Sequence, residues 1–377
     1  MPYIPQNHLE NLRQLVVPGK VVVICGARRV GKTTLVKEYL KGVKAKSLLV
    51  DGDDIVVREY LESQSISKLR DFVGDHTLLV VDEAQHVEKI GLNLKLIVDH
   101  IPTIRIIATG STSLDLAQDV GEPLTGRKFS LTLFPLAQME ISKIEKPHET
   151  KANLESRLIY GSYPEVVTMR SNAGREEYLR EIISSYLFKD ILALEGIRYA
   201  NKLLRLLQLL AFQIGKEVSL AEVGAQLAMS KNTAERYLDL LEKVFVIYRL
   251  RGFSRNLRKE ITKNQRCYFI DTGIRNALIQ NFNPLAIRND LGELWENYLM
   301  TERFKKREYL RHATNPYFWR TYDKKEIDLV EEQGGKLFAH EIKWKATSAK
   351  PPKDWHANYP EAHYQVIHRE NYLPFIQ

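Results

Sequence analysis

Cysteine is nearly absent from this chain, with Cys25 and Cys267 the only two among 377 residues. Two thiols cannot build a disulfide framework, and neither stands at metal-ligand spacing from the ten histidines. Disulfide-stapled secreted folds and zinc-ribbon sites are therefore excluded, and a reducing, cytoplasmic setting is expected. No apolar run approaches the roughly twenty residues needed to span a bilayer. The opening Met1-Pro2-Tyr3-Ile4-Pro5 also lacks the basic and apolar regions of a secretory signal, so a soluble protein without a membrane partner is expected. Acidic residues are outnumbered, 47 against 55 basic, for a net charge of +8. That excess is compatible with a nucleic-acid partner and equally with nucleotide binding alone. With 44% hydrophobic and 27% charged residues and no internal repeat, the composition excludes disordered and fibrous classes, and the length suits two or three domains.

What is present begins with Gly26-Ala27-Arg28-Arg29-Val30-Gly31-Lys32-Thr33, which fits the phosphate-loop pattern Gly-x-x-x-x-Gly-Lys-Ser/Thr. It follows a buried-strand pattern, Val21-Val22-Val23-Ile24, and precedes a helical one, Thr34 to Leu40. In that context the glycines let backbone N–H groups turn in around the β- and γ-phosphates, Lys32 neutralises charge, and Thr33 offers a hydroxyl to Mg²⁺ at a helix N-terminus. The expected contacts of ATP are Gly26, Ala27, Arg28, Arg29, Val30, Gly31, Lys32, Thr33 and Thr34.

A second half of the site follows. Leu78-Leu79-Val80-Val81 ends in Asp82-Glu83, two carboxylates at the carboxyl end of a buried strand, where ligands collect in open α/β sheets. Asp82 is assigned to the magnesium shell with Thr33, and Glu83 to polarising the attacking water. A further strand, Arg105 to Ala108, runs into Thr109-Gly110-Ser111-Thr112-Ser113. Ser111 is a candidate γ-phosphate sensor, with a helix N-cap as the competing reading. Arg127, in Leu124-Thr125-Gly126-Arg127, precedes a strand-like stretch from Lys128 to Phe134 and is a candidate for reaching a neighbouring subunit's nucleotide; a surface salt bridge is its competing reading.

These segments resemble an AAA+ ATPase. More narrowly, the chain is similar to a bacterial and archaeal family whose N-terminal AAA+ module is joined to a domain of unknown function with a restriction-endonuclease-like core. The resemblance rests on GARRVGKTTL, LLVVDEAQ, IIATGSTS, LTGR, GSYPEVV, LWENYL, EIDLV and HEIKW and spans nearly the whole chain. It implies a five-stranded ATPase core, a helical lid, and assembly into a homo-oligomer, such as a hexameric ring, with a shared nucleotide site.

Strand and helix patterns alternate from about residue 20 to 135, which predicts a parallel sheet covered on both faces. Lys143 to Asn153, polar with Pro147 inside, reads as a linker. Helical stretches at Leu154–Tyr160 and Tyr178–Leu194, interrupted by Gly161-Ser162-Tyr163-Pro164, read as the lid. Residues 202 to 251 carry a helix-turn-helix pattern. Ser219-Leu220-Ala221-Glu222 has capping-box spacing, Ser230 caps the next helix, Lys231 to Lys243, and Val244 to Tyr248 reads as the strand of a wing. That second helix balances Lys231, Arg236 and Lys243 against Glu235, Asp239 and Glu242, which suits phosphate contact poorly. Just beyond it, Arg249, Arg251, Arg255, Arg258, Lys259, Lys263 and Arg266 face Glu260 alone, and DNA backbone is expected there, with a solvated basic loop as the competing reading. The expected domains are 1–142 (ATPase core), 143–201 (lid), 202–266 (winged-helix-like) and 267–377 (restriction-endonuclease-like), an α/β architecture throughout.

Glu326-Ile327-Asp328-Leu329-Val330 and Phe338-Ala339-His340-Glu341-Ile342-Lys343 flank Gly334-Gly335, a dipeptide suited to a two-residue hairpin turn. Counting outward places Asp328 opposite Glu341 and Glu326 opposite Lys343 on one sheet face. The set Asp328, Glu341, Lys343, with Glu296 from a preceding helix, is similar to the metal site of restriction-endonuclease-like nucleases. Here no Pro precedes Asp328, and an ordinary Glu326–Lys343 cross-strand pair is the competing reading. The function expected is Mg²⁺-dependent ATP hydrolysis by an oligomer acting on DNA, branched or duplex. The alternative is an ATPase switch that binds protein partners, with a catalytically silent C-terminal domain.

Overall fold

The computed structural model describes residues 3–111, 124–187, 200–254 and 265–377. Five parallel strands, β1 (Val21–Cys25), β2 (Ser47–Asp51), β3 (Leu78–Asp82), β4 (Arg105–Gly110) and β5 (Lys128–Thr132), form the first sheet in the order β2-β3-β4-β1-β5. Every residue of β1 is buried, as a central strand covered on both faces requires. Val22 and Ile24 pack into one core with Leu12 of α1 (His8–Leu15) and Leu35 of α2 (Lys32–Lys41). Val21, Val23 and Cys25 enter the opposite core with Leu69 and Leu94, and α3 (Ile55–Leu61), α4 (Ile66–Val73) and α5 (Ile90–His100) close that face. With β1 between β4 and β5, the loop leaving β1 emerges at the middle of the sheet's carboxyl edge.

The expected linker is folded. Pro147 occupies the first turn of a helix, where its missing N–H costs nothing. After α6 (Gln138–Ile141), α7 (Pro147–Ala152) therefore leads directly to α8 (Leu154–Tyr160). Buried Arg157 holds Glu145 and ties the two segments together. After α9 (Pro164–Thr168), α10 (Asn172–Glu181) starts earlier than expected because Ser171 caps it, accepting from Gly174 N at 3.3 Å. It passes into a π-turn, Ile182–Leu187; the expected lid helix beyond that point lies outside the described residues.

Helices α11 (Ala200–Phe212), α12 (Leu220–Gln226) and α13 (Lys231–Lys243) adjoin an antiparallel ribbon of β6 (Glu217–Val218), β7 (Ile247–Gly252) and β8 (Gln265–Phe269), ordered β6-β8-β7. The expected caps form, with Ser219 and Ser230 hydroxyls accepting from Glu222 N and Thr233 N. The strand starts at Ile247 rather than Val244, because Val244 still caps α13 and Phe245 takes a left-handed φ of 61°. The free edge of β7 pairs with β9 (Asn315–Arg320), and the sheet continues through β10 (Glu326–Gln333), β11 (Lys336–Ile342) and β12 (His363–Ile367). One seven-stranded sheet results, and the boundary placed at 266/267 cuts through β8.

Between β8 and β9 lie α14 (Thr272–Leu278) and α15 (Leu291–Leu310). At twenty residues, α15 is about 30 Å long. One half packs Leu294, Trp295 and Leu299 under the second sheet. The other reaches the segment that follows β5: Tyr309 Oη accepts from Phe134 N at 3.1 Å and Glu302 accepts from Gln138 N at 2.5 Å.

Candidate nucleotide site and the C-terminal carboxylate cluster

The loop from Gly26 to Thr33 wraps the N-terminus of α2. Gly26 has no alternative: a Cβ there would lie 2.1 Å from Leu133 O, and Leu133 N bonds back to Cys25 O at 2.7 Å. The side chain of Val30 is buried in the core beneath the loop, while Thr34 is exposed at the cleft. Lys32 is only 5% exposed, and its ammonium donates to Gly26 O at 2.9 Å and Ala27 O at 3.0 Å. A phosphate entering the loop would compete for this ammonium with uncharged carbonyl acceptors, and an anionic oxygen is the stronger acceptor for a cationic donor.

At the end of β3, Asp82 Oδ2 accepts from Thr33 Oγ1 at 2.6 Å. Its other oxygen accepts from Thr109, whose hydroxyl also accepts from Glu83 N at 3.2 Å. One threonine thus bridges both acidic residues. Sequence reasoning named Ser111, which is buried two residues further on, just past the end of β4. Glu83 is held at φ 48°, a conformation that costs a non-glycine residue about 1–2 kcal/mol. Gln85 Nε2 fixes its carboxylate at 2.5 Å. Hydroxyl and carboxylate oxygens are the hard donors Mg²⁺ takes, usually one or two from protein with phosphates and water completing the shell, so Thr33 and Asp82 fit that ion.

A cleft of about 470 Å³ opens over Lys32, Thr33 and Glu83. Its far wall is Pro164 and Glu165 of the GSYPEVV segment with Thr168 just after it, and Arg29 Nη1 lies 3.3 Å from Glu165 Oε1. Arg28 lines a separate, smaller cavity with Asp271. Behind that wall, buried Asp271 accepts from Ser162 N at 2.7 Å and caps α14 at Ile274 N. Arg127 lies at the opposite end of the sheet, where its carbonyl accepts from Val21 N at the start of β1, and its Nε is 2.6 Å from Asp99 of α5. It has no part in its own chain's phosphate loop.

The expected DNA-binding stretch resolves differently. Arg249 is half-buried and paired with Asp239 at 2.7 Å and with Glu242, and Arg266 is buried, so neither offers a free charge to solvent. Arg251 is exposed, and Arg255, Arg258, Lys259 and Lys263 lie outside the described residues. A cleft that sequence reasoning missed, about 910 Å³, is lined by Lys325, Lys350, Lys353 and His356 together with Glu326, and Lys325 is paired with Asp354 at 2.9 Å. These residues come from two separated segments, which no linear charge count joins.

The hairpin register runs from Leu329 opposite His340 to Gln333 opposite Lys336, as a two-residue Gly334-Gly335 turn requires. The same count brings Asp328 opposite Glu341. The four acids nevertheless meet cations of the chain itself. Arg266 Nη2 is 2.6 Å from Glu326, and Nη1 is 3.6 Å from both Asp328 and Glu296. Lys343 Nζ is 2.7 Å from Glu341, not on Glu326. Asp328 accepts from Ile342 N at 2.8 Å, and Glu296 from Tyr268 Oη at 2.7 Å. Burial, then the charge of Asp328, pushes the Glu296 carboxyl up to about 8 against the pull of Arg266. Among the described residues no group of three acidic, histidine or cysteine side chains is placed to hold a metal ion. The expected second metal set, Glu296, Asp328, Glu341 and Lys343, is therefore not assembled as one, because a guanidinium stands among its carboxylates.

Residues 18–142 match a family model described as an AAA domain, and residues 151–285 and 291–372 match two domains of unknown function, DUF8612 and DUF4143. An uncharacterized protein of Mycobacterium tuberculosis is 29% identical over 342 residues, covering 89% of this chain and 73% of its own. One of Haemophilus influenzae is 24% identical over 360 residues, with 88% and 84% covered. Among solved structures, a Walker-type ATPase of Pyrococcus abyssi is similar at 15% identity and TM-score 0.49, covering 74% of this chain and 96% of that one. No helix among the described residues is long and apolar enough to cross a membrane. The N-terminal part of the chain is an AAA-type P-loop ATPase domain.

Proposed function

We propose that this protein hydrolyses ATP with Mg²⁺ and that turnover acts on nucleic acid held by its C-terminal half. The observation that carries the first part is the 2.6 Å bond between Thr33 and Asp82 beneath a loop whose lysine is buried and aimed inward. Phosphates are cradled by Gly26 to Thr33, Thr33 and Asp82 hold Mg²⁺, and Glu83 at the cleft orients the attacking water. Mg²⁺ supplies charge neutralisation on the phosphates. Arg127, at the far end of the sheet, is offered to a neighbouring copy's nucleotide, which makes a homo-oligomer the working unit. Phosphate release should require Mg²⁺ and vanish in Lys32→Ala, while Glu83→Gln should still bind ATP with turnover nearly abolished; undiminished hydrolysis in Glu83→Gln sinks the assignment.

The nucleic-acid reading is supported by the winged-helix order of α11 to β8, by the basic excess around Arg251, and by the lysine-lined cleft. The hairpin-bearing sheet beside α15 supports a restriction-endonuclease-like core. Binding to a labelled duplex and to a four-way junction should weaken steeply with salt, because phosphate neutralisation releases counterions. Salt-independent or absent binding would favour the protein-partner switch instead.

A further inference from the structure

Reading the C-terminal sheet as a restriction-endonuclease-like core calls for a divalent cation among Glu296, Asp328 and Glu341. We propose that Arg266 is the resident cation of that cluster, so the C-terminal domain takes no divalent metal and holds nucleic acid without cutting it. This rests on the nucleic-acid reading of the C-terminal half and not on the nucleotide site.

Three features carry the inference. The guanidinium is within 3.6 Å of carboxylates from two separate elements, Glu296 on α15 and Asp328 on β10, and bonds a third, Glu326, at 2.6 Å. A divalent ion needs such oxygens at about 2.0–2.6 Å, and here it would sit directly against a fixed positive charge. Second, Arg266 cannot swing aside cheaply. Its side chain is 4% exposed and lies over the Phe318 ring at 4.7 Å, so leaving would strand buried carboxylates and uncover an aromatic face. Third, two buried polar atoms of this cluster have no partner, Glu341 Oε2 and Arg266 Nε. One is an acceptor and the other a donor. Water satisfies both kinds, whereas a metal ion repels the N–H.

Lys343 fits the same picture: its ammonium rests on Glu341 and is held charged there. The cluster is a cross-brace between α15, β8 and the β10–β11 hairpin, built from ion pairs where a nuclease has its metal.

The test is Mn²⁺ titration of the full-length, nucleotide-free protein, compared among wild type, Asp328→Asn, Arg266→Met and Arg266→Lys, with thermal unfolding in parallel. Wild type and Arg266→Lys should show no Mn²⁺ uptake that depends on Asp328, and wild type should not nick DNA with Mg²⁺ or Mn²⁺. Arg266→Met should unfold at lower temperature and regain part of that loss with Mn²⁺, a gain removed by adding Asp328→Asn. Asp328-dependent Mn²⁺ uptake by wild type overturns the proposal. So does a folded Arg266→Met protein that Mn²⁺ neither binds nor stabilises, since Arg266 would then not be what excludes the metal. Should Arg266→Met not accumulate as folded protein, wild type against Asp328→Asn decides alone.

Discussion

Arg29 and Glu165 sit 3.3 Å apart across the mouth of the nucleotide cleft, joining the phosphate loop to the segment that forms the opposite wall. Both side chains are over a third exposed, so the pair adds little to stability. Its importance is to the ligand. A triphosphate entering the loop competes with Glu165 for Arg29, and the carboxylate also repels it. Glu165→Gln should therefore bind ATP about 2–5-fold more tightly, the range an exposed ion pair supplies, with an unchanged melting temperature. Equilibrium titration with a fluorescent ATP analogue reads this; equal or weaker affinity would show that Arg29 keeps its partner when nucleotide binds.

Thr109 is the inner support of the Asp82 carboxylate, the group proposed to hold Mg²⁺. Its hydroxyl holds one oxygen of Asp82 and receives the backbone N–H of Glu83, so replacing it leaves Asp82 with its Thr33 bond and loosens the backbone that carries Glu83. Thr109→Val keeps the shape and removes the hydroxyl. Residues supporting a metal ligand typically cost about 10–100-fold when lost, and that drop is expected in Mg²⁺-dependent turnover, with the Mg²⁺ requirement shifted to higher concentration. Replacing Ser111 instead should have the smaller effect. The opposite ranking would return the sensor role to Ser111.

The nucleotide half of the molecule was legible because its chemistry is local. The phosphate loop needs glycines, a lysine and a hydroxyl within eight residues, and a buried parallel strand writes itself as Val21-Val22-Val23-Ile24. The hairpin register was legible for the same reason, being fixed by Gly334-Gly335. What was not legible joins residues far apart. Arg266 belongs by sequence to a basic stretch and by structure to a carboxylate cluster formed with Glu296, Glu326 and Asp328. Counting charge along the chain cannot see that its charge is already spent. Likewise Pro147 reads as a linker breaker until it is seen starting α7, and β7 reads as the end of a wing until β9 pairs with its open edge.

Gly161 should tolerate no side chain. Its φ is +74°, and a Cβ would lie 2.0 Å from Asp271 Oδ1, the carboxylate that fixes both Ser162 and the start of α14. Neither the backbone nor the buried acid has room to yield. Gly161→Ala should lower stability by more than about 1–3 kcal/mol, the ordinary cost of a strained backbone alone, as read from urea unfolding. A near-neutral result would show that the segment behind the cleft wall is looser than its contacts imply.

Arg127 lies at the amino end of the sheet, away from its own phosphate loop, so any part in hydrolysis must be played on another copy. Arg127→Ala and Lys32→Ala proteins should each be inactive, with losses of about 10³-fold or more for a missing arginine of this kind. Mixed together they should recover part of the activity, since some interfaces pair an intact loop with an intact arginine. Mixed assemblies that form and stay inactive would rule out action in trans.

His8 ties α1 to the C-terminal domain, and it must be neutral to do so. Its Nε2–H donates to Thr132 O at 2.8 Å, Nδ1 accepts from Asn11 at 2.9 Å, and the ring meets Tyr309 edge-on at 4.7 Å. Burial, with a smaller push from Arg311, lowers its pKa to about 4, against the bond to Thr132 that favours the charged form. An unfolded chain titrates this residue near 6.5. Between those values the unfolded state binds a proton that the folded state refuses, so stability is flat above about pH 6.5 and falls as pH drops toward 4, by up to about 3 kcal/mol. His8→Gln keeps a donor for Thr132 and removes the titration. It should be the less stable protein at pH 8, and the gap should close steadily from pH 6.5 to 4 in urea-unfolding series on both proteins. A gap that stays constant across that window would mean His8 is not held neutral against Tyr309.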